Sequence, residues 1–189
     1  MSGKVVIISG PSGAGKSTLV KRLFEICPLP LALSVSATTR TPRHDEIDGI
    51  AYHFLSPEEF ERRRLNNDFL EYKEVFGQGN WYGTLEQSVS DGQASGQWVI
   101  LEIDVAGALS VIDRIPDAIT IFINPGSMEE LERRLRNRQT DSEEAILRRL
   151  QVAKHEMSNR HHYQHQITND EVDRAARQVS QLLQALETM

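Results

Sequence analysis

The sequence has very little cysteine: Cys27 is the single cysteine among 189 residues. A disulfide within the chain is therefore excluded, which is typical of proteins from a reducing compartment. Basic residues are also outnumbered, with 21 Lys and Arg against 27 Asp and Glu and a formal net charge of −6. Because a general nucleic-acid binder needs a basic surface, we expect no nucleic-acid partner.

Long hydrophobic runs are missing as well. The apolar run at residues 5–8 is too short for a secretion signal. No later run approaches the ~20 apolar residues of a membrane-spanning helix. We therefore expect a cytoplasmic protein that does not associate with membranes. Composition is ordinary for one compact domain, with 39% hydrophobic and 25% charged residues.

A glycine-rich segment follows this first apolar run. Residues 10–17 read GPSGAGKS and fit the phosphate-loop pattern G-x-x-x-x-G-K-[ST] at every fixed position. Backbone N–H groups in such a turn, next to a helix N-terminus, bind phosphate oxygens. We predict that Lys16 reaches the terminal phosphates of the ligand and that Ser17 is a ligand of Mg²⁺. The loop residues predicted to bind these phosphates are Gly10, Pro11, Ser12, Gly13, Ala14, Gly15, Lys16, Ser17 and Thr18.

Apolar strand-like runs alternate with helical stretches along the chain. Strands are predicted at 5–9, 98–103 and 119–123, each nearly all apolar, as in parallel strands covered on both faces. Helix starts are predicted at capping sequences near residues 56, 127 and 141, and an apolar stripe predicts a last helix over 172–186. The predicted fold class is α/β, a three-layer α/β/α P-loop core with a parallel sheet.

Two stretches interrupt this alternation. Residues 34–85 are polar, turn-rich and aromatic, and residues 126–157 are rich in arginine. We predict a single domain in which 34–85 form an inserted lobe and 126–157 a helical lid. The core then comprises residues 1–33, 86–125 and 158–189.

The predicted strand at 98–103 is followed by acidic residues. Ligands of open α/β sheets gather at the carboxyl ends of the strands, and a carboxylate there holds Mg²⁺ beside the Ser of a phosphate loop. Asp104 is the leading candidate and Glu102 the next. Acidic residues also end many strands for solubility, so the assignment depends on the phosphate loop.

The lid stretch has six arginines and six acidic residues between 126 and 149. One interpretation is a surface helix with ion pairs four residues apart, such as Glu132 with Arg136. The other is a mobile lid whose arginines close over the phosphates of a bound nucleotide. Three nearby histidines, His161, His162 and His165, are interpreted as solvated or locally hydrogen-bonded residues and not as metal ligands.

A further set of segments resembles the guanylate kinase family over nearly the whole chain and in the family's order. The most specific is SVSATTRTPR at 34–43. The others are DG at 48–49 with Tyr52, FLEY at 69–72, NWYGT at 80–84, LEID at 101–104 and ITND at 167–170. The resemblance implies an enzyme that transfers the γ-phosphate of ATP to GMP, and to dGMP as well, with Mg²⁺ and gives ADP and GDP.

The resemblance also implies roles for individual residues. Glu71 resembles the carboxylate that accepts both guanine donors, N1–H and the 2-amino group, while Ser36 and Thr84 resemble the hydroxyl donors to O6. The residues implied in GMP binding are Ser36, Arg40, Arg43, Tyr52, Glu71, Tyr82, Thr84, Glu102 and Asp104. The phosphate-loop residues 10–18 are implied in ATP binding together with Arg134 and Asn169. Lys16, Arg40, Arg138 and Arg149 are implied in catalysis, and Ser17 with Asp104 in Mg²⁺ binding.

Plainer interpretations stay open for single residues. Tyr52 and Tyr82 could be half-buried aromatics, and Glu71 a solvated charge at a helix end. Residues 78–79 look like an insertion, which leaves the placement of Tyr82 and Thr84 open.

Two rival functions also stay open: a guanylate-kinase-like protein-interaction module without catalysis, and a P-loop kinase for another phosphorylated substrate. Oligomeric state, monomer or homodimer, is not predicted.

Overall fold

The computed structural model describes residues 3–75, 79–137 and 142–188. Two sheets organise this part of the chain. The central sheet is parallel, with the strand order β2-β7-β1-β8-β9. A second sheet has the order β4-β3-β6-β5 and is mostly antiparallel.

The strands and helices alternate through most of the chain. The strands are β1 (Val5–Ser9), β2 (Leu31–Leu33), β3 (Ala37–Thr38), β4 (His53–Phe54), β5 (Phe69–Val75), β6 (Asn80–Leu85), β7 (Trp98–Glu102), β8 (Ile119–Asn124) and β9 (His165–Thr168). The helices are α1 (Lys16–Ile26), α2 (Pro57–Leu65), α3 (Glu86–Ala94), α4 (Val105–Arg114), α5 (Met128–Asn137), α6 (Glu143–Ser158) and α7 (Val172–Glu187). A 3₁₀ turn (Asn159–His162) follows α6.

The central sheet is covered on both faces because its inner strands are apolar at nearly every position. On β1, Val6 and Ile8 pack in one buried cluster with residues of α1 and α7. The alternate residues Val5 and Ile7 pack in a second cluster with α3 and α4. Successive side chains of a strand point to opposite faces, so this division requires three layers. The predicted α/β class with a parallel central sheet is confirmed.

The helix starts follow the predicted caps. Ser56 Oγ accepts a hydrogen bond from Glu59 N at 3.1 Å, and Ser142 Oγ accepts one from Ala145 N at 3.3 Å. Such caps satisfy N–H groups that have no partner inside the helix. Helix α1 differs, because its N-cap is Gly15 in a left-handed conformation and supplies no side-chain cap. The first turn of α1 therefore presents backbone N–H groups to the loop before it.

All four strands of the second sheet lie between residues 34 and 85, the stretch predicted as a lobe. Helices α5 and α6 lie in the stretch predicted as a lid and share a small apolar core, which includes Leu131, Leu135 and Leu150. Sequence reasoning missed β2, β3, β5, β6 and β9, since these strands are short or have polar residues on one face. The described residues contain no helix that is both long and apolar enough to span a membrane.

Gly10 is required by the packing of β8 against the loop. Its φ is +143°, and a Cβ built there would lie 2.4 Å from the carbonyl oxygen of Ile123. We expect Gly10→Ala to lower the free energy of unfolding by about 3 kcal/mol or more, since backbone strain and a backbone clash add. Urea unfolding of the purified variant measures this change.

Gly126→Ala is a matched control. Gly126 also has a positive φ, +98°, but a Cβ added to it would lie 3.9 Å from its nearest neighbour, Thr168 Cγ2. We expect this control to lose only the conformational part, about 1–2 kcal/mol. Equal losses in the two variants would show that the contact with Ile123 has no role.

Candidate active site

The parallel pairing of β1 with β7 brings the glycine-rich loop and the predicted acidic residues to one edge of the sheet. Ile8 lies opposite Glu102 in this register. The Ser17 Oγ hydroxyl, in the first turn of α1, donates a hydrogen bond of 2.5 Å to Glu102 Oε1. Of the two acidic candidates, Glu102 is therefore the one that contacts Ser17.

Asp104 has other partners. Its Oδ1 caps α4 by accepting a hydrogen bond of 2.8 Å from Gly107 N, and its Oδ2 lies 2.9 Å from Lys73 Nζ. Burial works against ionisation of Asp104, but these two contacts outweigh it and hold the pKa of the carboxyl below its ordinary value. Asp104 is thus ionised and fixed at the end of β7.

The loop and its neighbours enclose a cleft of about 510 Å³. Lys16 Nζ donates to the carbonyl oxygens of Gly10 at 2.7 Å and Pro11 at 3.2 Å, so the ammonium group lies over the loop. The cleft is lined by Gly10, Ser12, Gly13, Gly15, Lys16, Ser17, Thr18, Lys73, Glu102, Asp104, Arg149, Val152 and Glu156. Most of the predicted loop residues therefore share one cavity with Arg149 of α6.

Asn169 contacts the loop, and Arg134 contacts Asn169. The Asn169 side chain is buried, and its Nδ2 donates a 2.8 Å hydrogen bond to the carbonyl of Ala14. Arg134 Nη2 donates to the carbonyl of Asn169 at 2.7 Å, while its Nε pairs with Glu130. Two residues predicted near ATP are thus linked to the loop, Asn169 directly and Arg134 through Asn169, although they are 35 positions apart in the chain.

A smaller cavity of about 190 Å³ lies on the second sheet. Six of the residues predicted around GMP line it, together with Lys73, Gly83 and Ile103; these six are Ser36, Tyr52, Glu71, Tyr82, Glu102 and Asp104. Glu102, Asp104 and Lys73 line both cavities. The two cavities therefore meet at the carboxyl end of β7.

Glu71 lies on strand β5, not at a helix end. A bulge between Phe69 and Glu71 shifts the register so that Glu71 faces Thr84 of β6. Thr84 Oγ1 donates a 2.7 Å hydrogen bond to Glu71 Oε1, so in this structure the hydroxyl proton of Thr84 is directed to the carboxylate. Burial raises the pKa of Glu71, and the charge of Asp104 adds to the rise while Thr84 opposes it.

The first turn of α4 approaches Glu71 closely. A Cβ at position 107 would lie 2.9 Å from Glu71 Oε2, so Gly107 lets the helix and the carboxylate share this space. The β5–β6 pairing keeps Thr84 opposite Glu71 and Tyr82 opposite Lys73. Of the suspected insertion at 78–79, Gly79 directly precedes β6, and Gln78 lies outside the described residues.

Arg40 is held by several groups at once. Its Nη2 contacts both carboxylate oxygens of Glu46 at 2.7 and 2.9 Å, and its Nε donates to Tyr82 Oη at 3.2 Å. Its guanidinium carbon also lies 5.5 Å from the centre of the Tyr52 ring. The hydrogen bonds from Arg40 lower the pKa of Glu46, which keeps this partly buried pair charged. Glu46 was not identified from the sequence as a residue of the site, although it lies only three residues after Arg43.

The remaining predicted residues are less closely assembled. The backbone N–H of Arg43 donates to Glu46 Oε2 at 2.7 Å, and its side chain is exposed. Arg136 pairs with Glu132 at 2.8 Å, as the surface-helix interpretation expects. Arg138 lies outside the described residues. The ring centres of His161 and His162 lie 4.0 Å apart with the rings tilted by 39°. The described part of the chain holds no group of three or more His, Cys, Asp and Glu side chains suited to a metal ion.

The parallel sheet, the glycine-rich loop and the Lys16–Ser17–Glu102 arrangement together define a P-loop kinase. A fold comparison agrees: shikimate kinase from Bacteroides thetaiotaomicron superposes with a TM-score of 0.55 at 18% identity, covering 98% of this chain and 99% of that one. At that identity the likeness concerns the fold alone.

Closer relatives define the family. The guanylate kinase family model matches residues 2–186. A guanylate kinase from Rhodopirellula baltica is 58% identical over 96% of this chain and 87% of its own length, and one from Nostoc sp. is 46% identical over 99% and 89%. The crystal structure of guanylate kinase from Anaplasma phagocytophilum superposes with a TM-score of 0.79 at 33% identity, covering all of this chain and 88% of that one. The chain belongs to the guanylate kinase family.

The raised pKa of Glu71 predicts a pH-dependent cost to folding. A carboxyl group whose pKa is higher in the folded than in the unfolded protein destabilises the folded state when it is ionised. This free-energy cost is present in full above the folded-state pKa and vanishes below the ordinary pKa of 4.5. We expect Glu71→Gln to be more stable than the original protein at pH 7. The advantage should shrink as the pH falls toward 4.5 and below, as measured by urea unfolding across the range.

Glu74→Gln is a suitable control, because it makes the same chemical change three residues further along β5. Glu74 is exposed, and it does not line the cavity that holds Glu71. We expect this control to lack the gain in stability at pH 7, because it removes no buried carboxylate. A Glu71→Gln stability difference that stays constant with pH would contradict the burial of an ionised carboxylate.

Proposed function

We propose that this protein transfers the γ-phosphate of ATP to GMP, and to dGMP as well, giving ADP and GDP. The observation that carries the proposal is the meeting of two cavities at Glu102 and Asp104, one built on the phosphate loop and one on Glu71. A phosphoryl group can pass directly between nucleotides only if both phosphate ends reach the same point. Membership of the guanylate kinase family supports the same assignment.

Guanine selection rests on Glu71. The guanine edge has two neighbouring donors, N1–H and the 2-amino group, and one carboxylate accepts both. Adenine would present an acceptor at N1, and an unpaired buried polar group costs about 1–3 kcal/mol. Thr84 and the bulge hold the carboxylate in one orientation, and Ser36 in the same cavity supplies a hydroxyl for O6.

The phosphate of GMP is proposed to lie against Arg40, Arg43, Tyr52 and Tyr82. Arg40 Nε donates to Tyr82 Oη at 3.2 Å, so the guanidinium group and the hydroxyl group lie side by side. Glu46 holds the guanidinium group of Arg40 in place through both oxygens. A planar guanidinium that is fixed in advance loses little freedom when it binds an anion.

ATP is proposed to bind the phosphate loop through its backbone N–H groups and Lys16, with Arg134 and Asn169 beside the nucleotide and Arg149 and Arg138 near the transferred group. Ser17 and Glu102 fit Mg²⁺ because a hydroxyl and a carboxylate that lie side by side supply the oxygen donors that this ion prefers, and Asp104 is a neighbouring carboxylate. When bound, Mg²⁺ would neutralise charge on the β- and γ-phosphates.

The reaction is proposed as a direct in-line transfer. An oxygen of the GMP phosphate attacks the γ-phosphorus, and the bond from that phosphorus to the β–γ bridging oxygen breaks as ADP leaves. The acceptor oxygen is ionised at neutral pH, so the chain supplies alignment and positive charge and no covalent intermediate. Closure of the lobe and the lid is proposed to exclude water, which would otherwise hydrolyse ATP.

The proposal includes the setting of the reaction. A cytoplasmic location fits a chain with a single cysteine, and small-molecule nucleotides fit a net charge of −6 better than nucleic acid does. A non-catalytic interaction module is disfavoured because GKS at 15–17 is intact and Lys16 lies in the loop cavity. We propose no preference between monomer and homodimer.

A coupled assay with GMP, dGMP, AMP, UMP and CMP tests the proposed reaction. We expect ADP formation with GMP and dGMP, and rates lower by at least about 10²-fold with the other acceptors, because each leaves polar groups around Glu71 unpaired. The matched control is Lys16→Met, which should abolish transfer while leaving the urea midpoint nearly unchanged. Equal rates with AMP, or full activity of the Lys16→Met protein, would refute the proposal.

Substitution of Glu71 tests the guanine assignment separately. We expect Glu71→Gln to raise the KM for GMP by roughly 10- to 100-fold, since one charge-assisted hydrogen bond becomes a mismatched contact. The KM for ATP should change little, because Glu71 does not line the loop cavity. Steady-state kinetics with each substrate varied in turn measures both values, and equal losses for ATP and GMP would contradict the assignment.

A further inference from the structure

Lys73 is the basic residue at the point where the two cavities meet. It lies two residues after Glu71 on β5, so both side chains project from the same face of the strand. Across the hairpin, Lys73 is paired with Tyr82 and Glu71 with Thr84. These four side chains therefore form one surface on the second sheet, and neither the motifs nor the family resemblance pointed to Lys73.

An ion pair anchors the ammonium group of Lys73 to the central sheet. Its Nζ lies 2.9 Å from Asp104 Oδ2, and the other oxygen of Asp104 is held by Gly107 N. The Lys73 side chain is 51% exposed, so the pair lies open to the cleft and not in the core. An ammonium group has three N–H donors, and Asp104 accepts one of them.

The charges around this point are mostly negative before any nucleotide binds. Four carboxylates line the two cavities, those of Glu71, Glu102, Asp104 and Glu156. Among the described residues that line them, the basic side chains are Lys16, Lys73 and Arg149, and of these Lys73 alone lines both cavities. Two nucleotide phosphate groups add further negative charge at this place, so a cation here has the largest effect when the two groups meet.

We propose that Lys73 contacts the phosphoryl group as it passes from ATP to GMP and stabilises the charge shared by the two nucleotides. The proposal rests on the proposed function. Asp104 positions the ammonium group and balances its charge before the nucleotides bind. The contact forms fully only when both phosphate ends are present, so it contributes to the rate more than to the binding of either nucleotide alone.

The test is Lys73→Met, which keeps the length of the side chain and removes its charge. We expect kcat to fall roughly 10- to 100-fold with little change in the KM for ATP or GMP, because the lost interaction belongs to the transition state. Lys21→Met, on the exposed surface of α1, is the matched control and should keep the original kcat. Urea midpoints of both variants confirm that they are folded.

A bisubstrate analogue, in which one polyphosphate chain joins adenosine to guanosine, separates transfer from positioning. Calorimetry should show roughly tenfold weaker binding of this analogue to Lys73→Met, and unchanged binding of ADP and of GMP alone. An unchanged kcat, or an equal loss of affinity for GMP and for the analogue, would overturn the role of Lys73. If the original protein makes GDP normally, such a result leaves the proposed function intact; failure of the original protein to use GMP would overturn both.

Discussion

The pairing of β1 with β7 is the constraint on which the site depends. Parallel strands end at the same edge of a sheet, so the loop after β1 and the acidic residues after β7 must meet there. The register places Ile8 opposite Glu102, and the first turn of α1 then brings Ser17 within 2.5 Å of that carboxylate. This register thus joins two side chains that are 85 positions apart in the chain.

The second sheet extends this edge into a two-sided cleft. Helix α4 begins directly after Asp104, and its third residue, Gly107, lies against Glu71 of β5. Asp104 joins both units, since it caps α4 and pairs with Lys73. The cavity beside Glu71 is thus fixed to the phosphate-loop cavity by one short segment, residues 102–107. This segment connects the packing of the fold to the alignment that phosphoryl transfer needs.

The site also holds ionisable groups in buried or partly buried positions, where their burial does not favour folding. Burial raises the pKa of Glu71, and burial likewise raises the pKa of Glu156 beside the loop. Arg40 and Glu46 form a partly buried ion pair, a contact that costs desolvation as well as gaining attraction. Of these groups, Glu71 and Arg40 are explained by the ligands that they are proposed to hold, because hydrophobic residues of similar size would stabilise the fold at least as well.

Local pattern was sufficient for the features that depend on neighbours in sequence. The apolar runs that became β1, β7 and β8, the serine caps and the glycine-rich loop are properties of a few adjacent residues, and the structure has them where the sequence predicts them. The family resemblance, carried by strings such as SVSATTRTPR, is likewise a property of the sequence and is confirmed by the comparisons.

The tertiary structure decided what depends on register and on packing between distant segments. It selected Glu102 over Asp104 as the partner of Ser17, oriented Glu71 through a β-bulge, brought Lys73 to the cleft and placed Glu46 against Arg40. Sequence alone does not decide these contacts, because strand pairing and helix placement are set by the whole core and not by the residues beside each side chain.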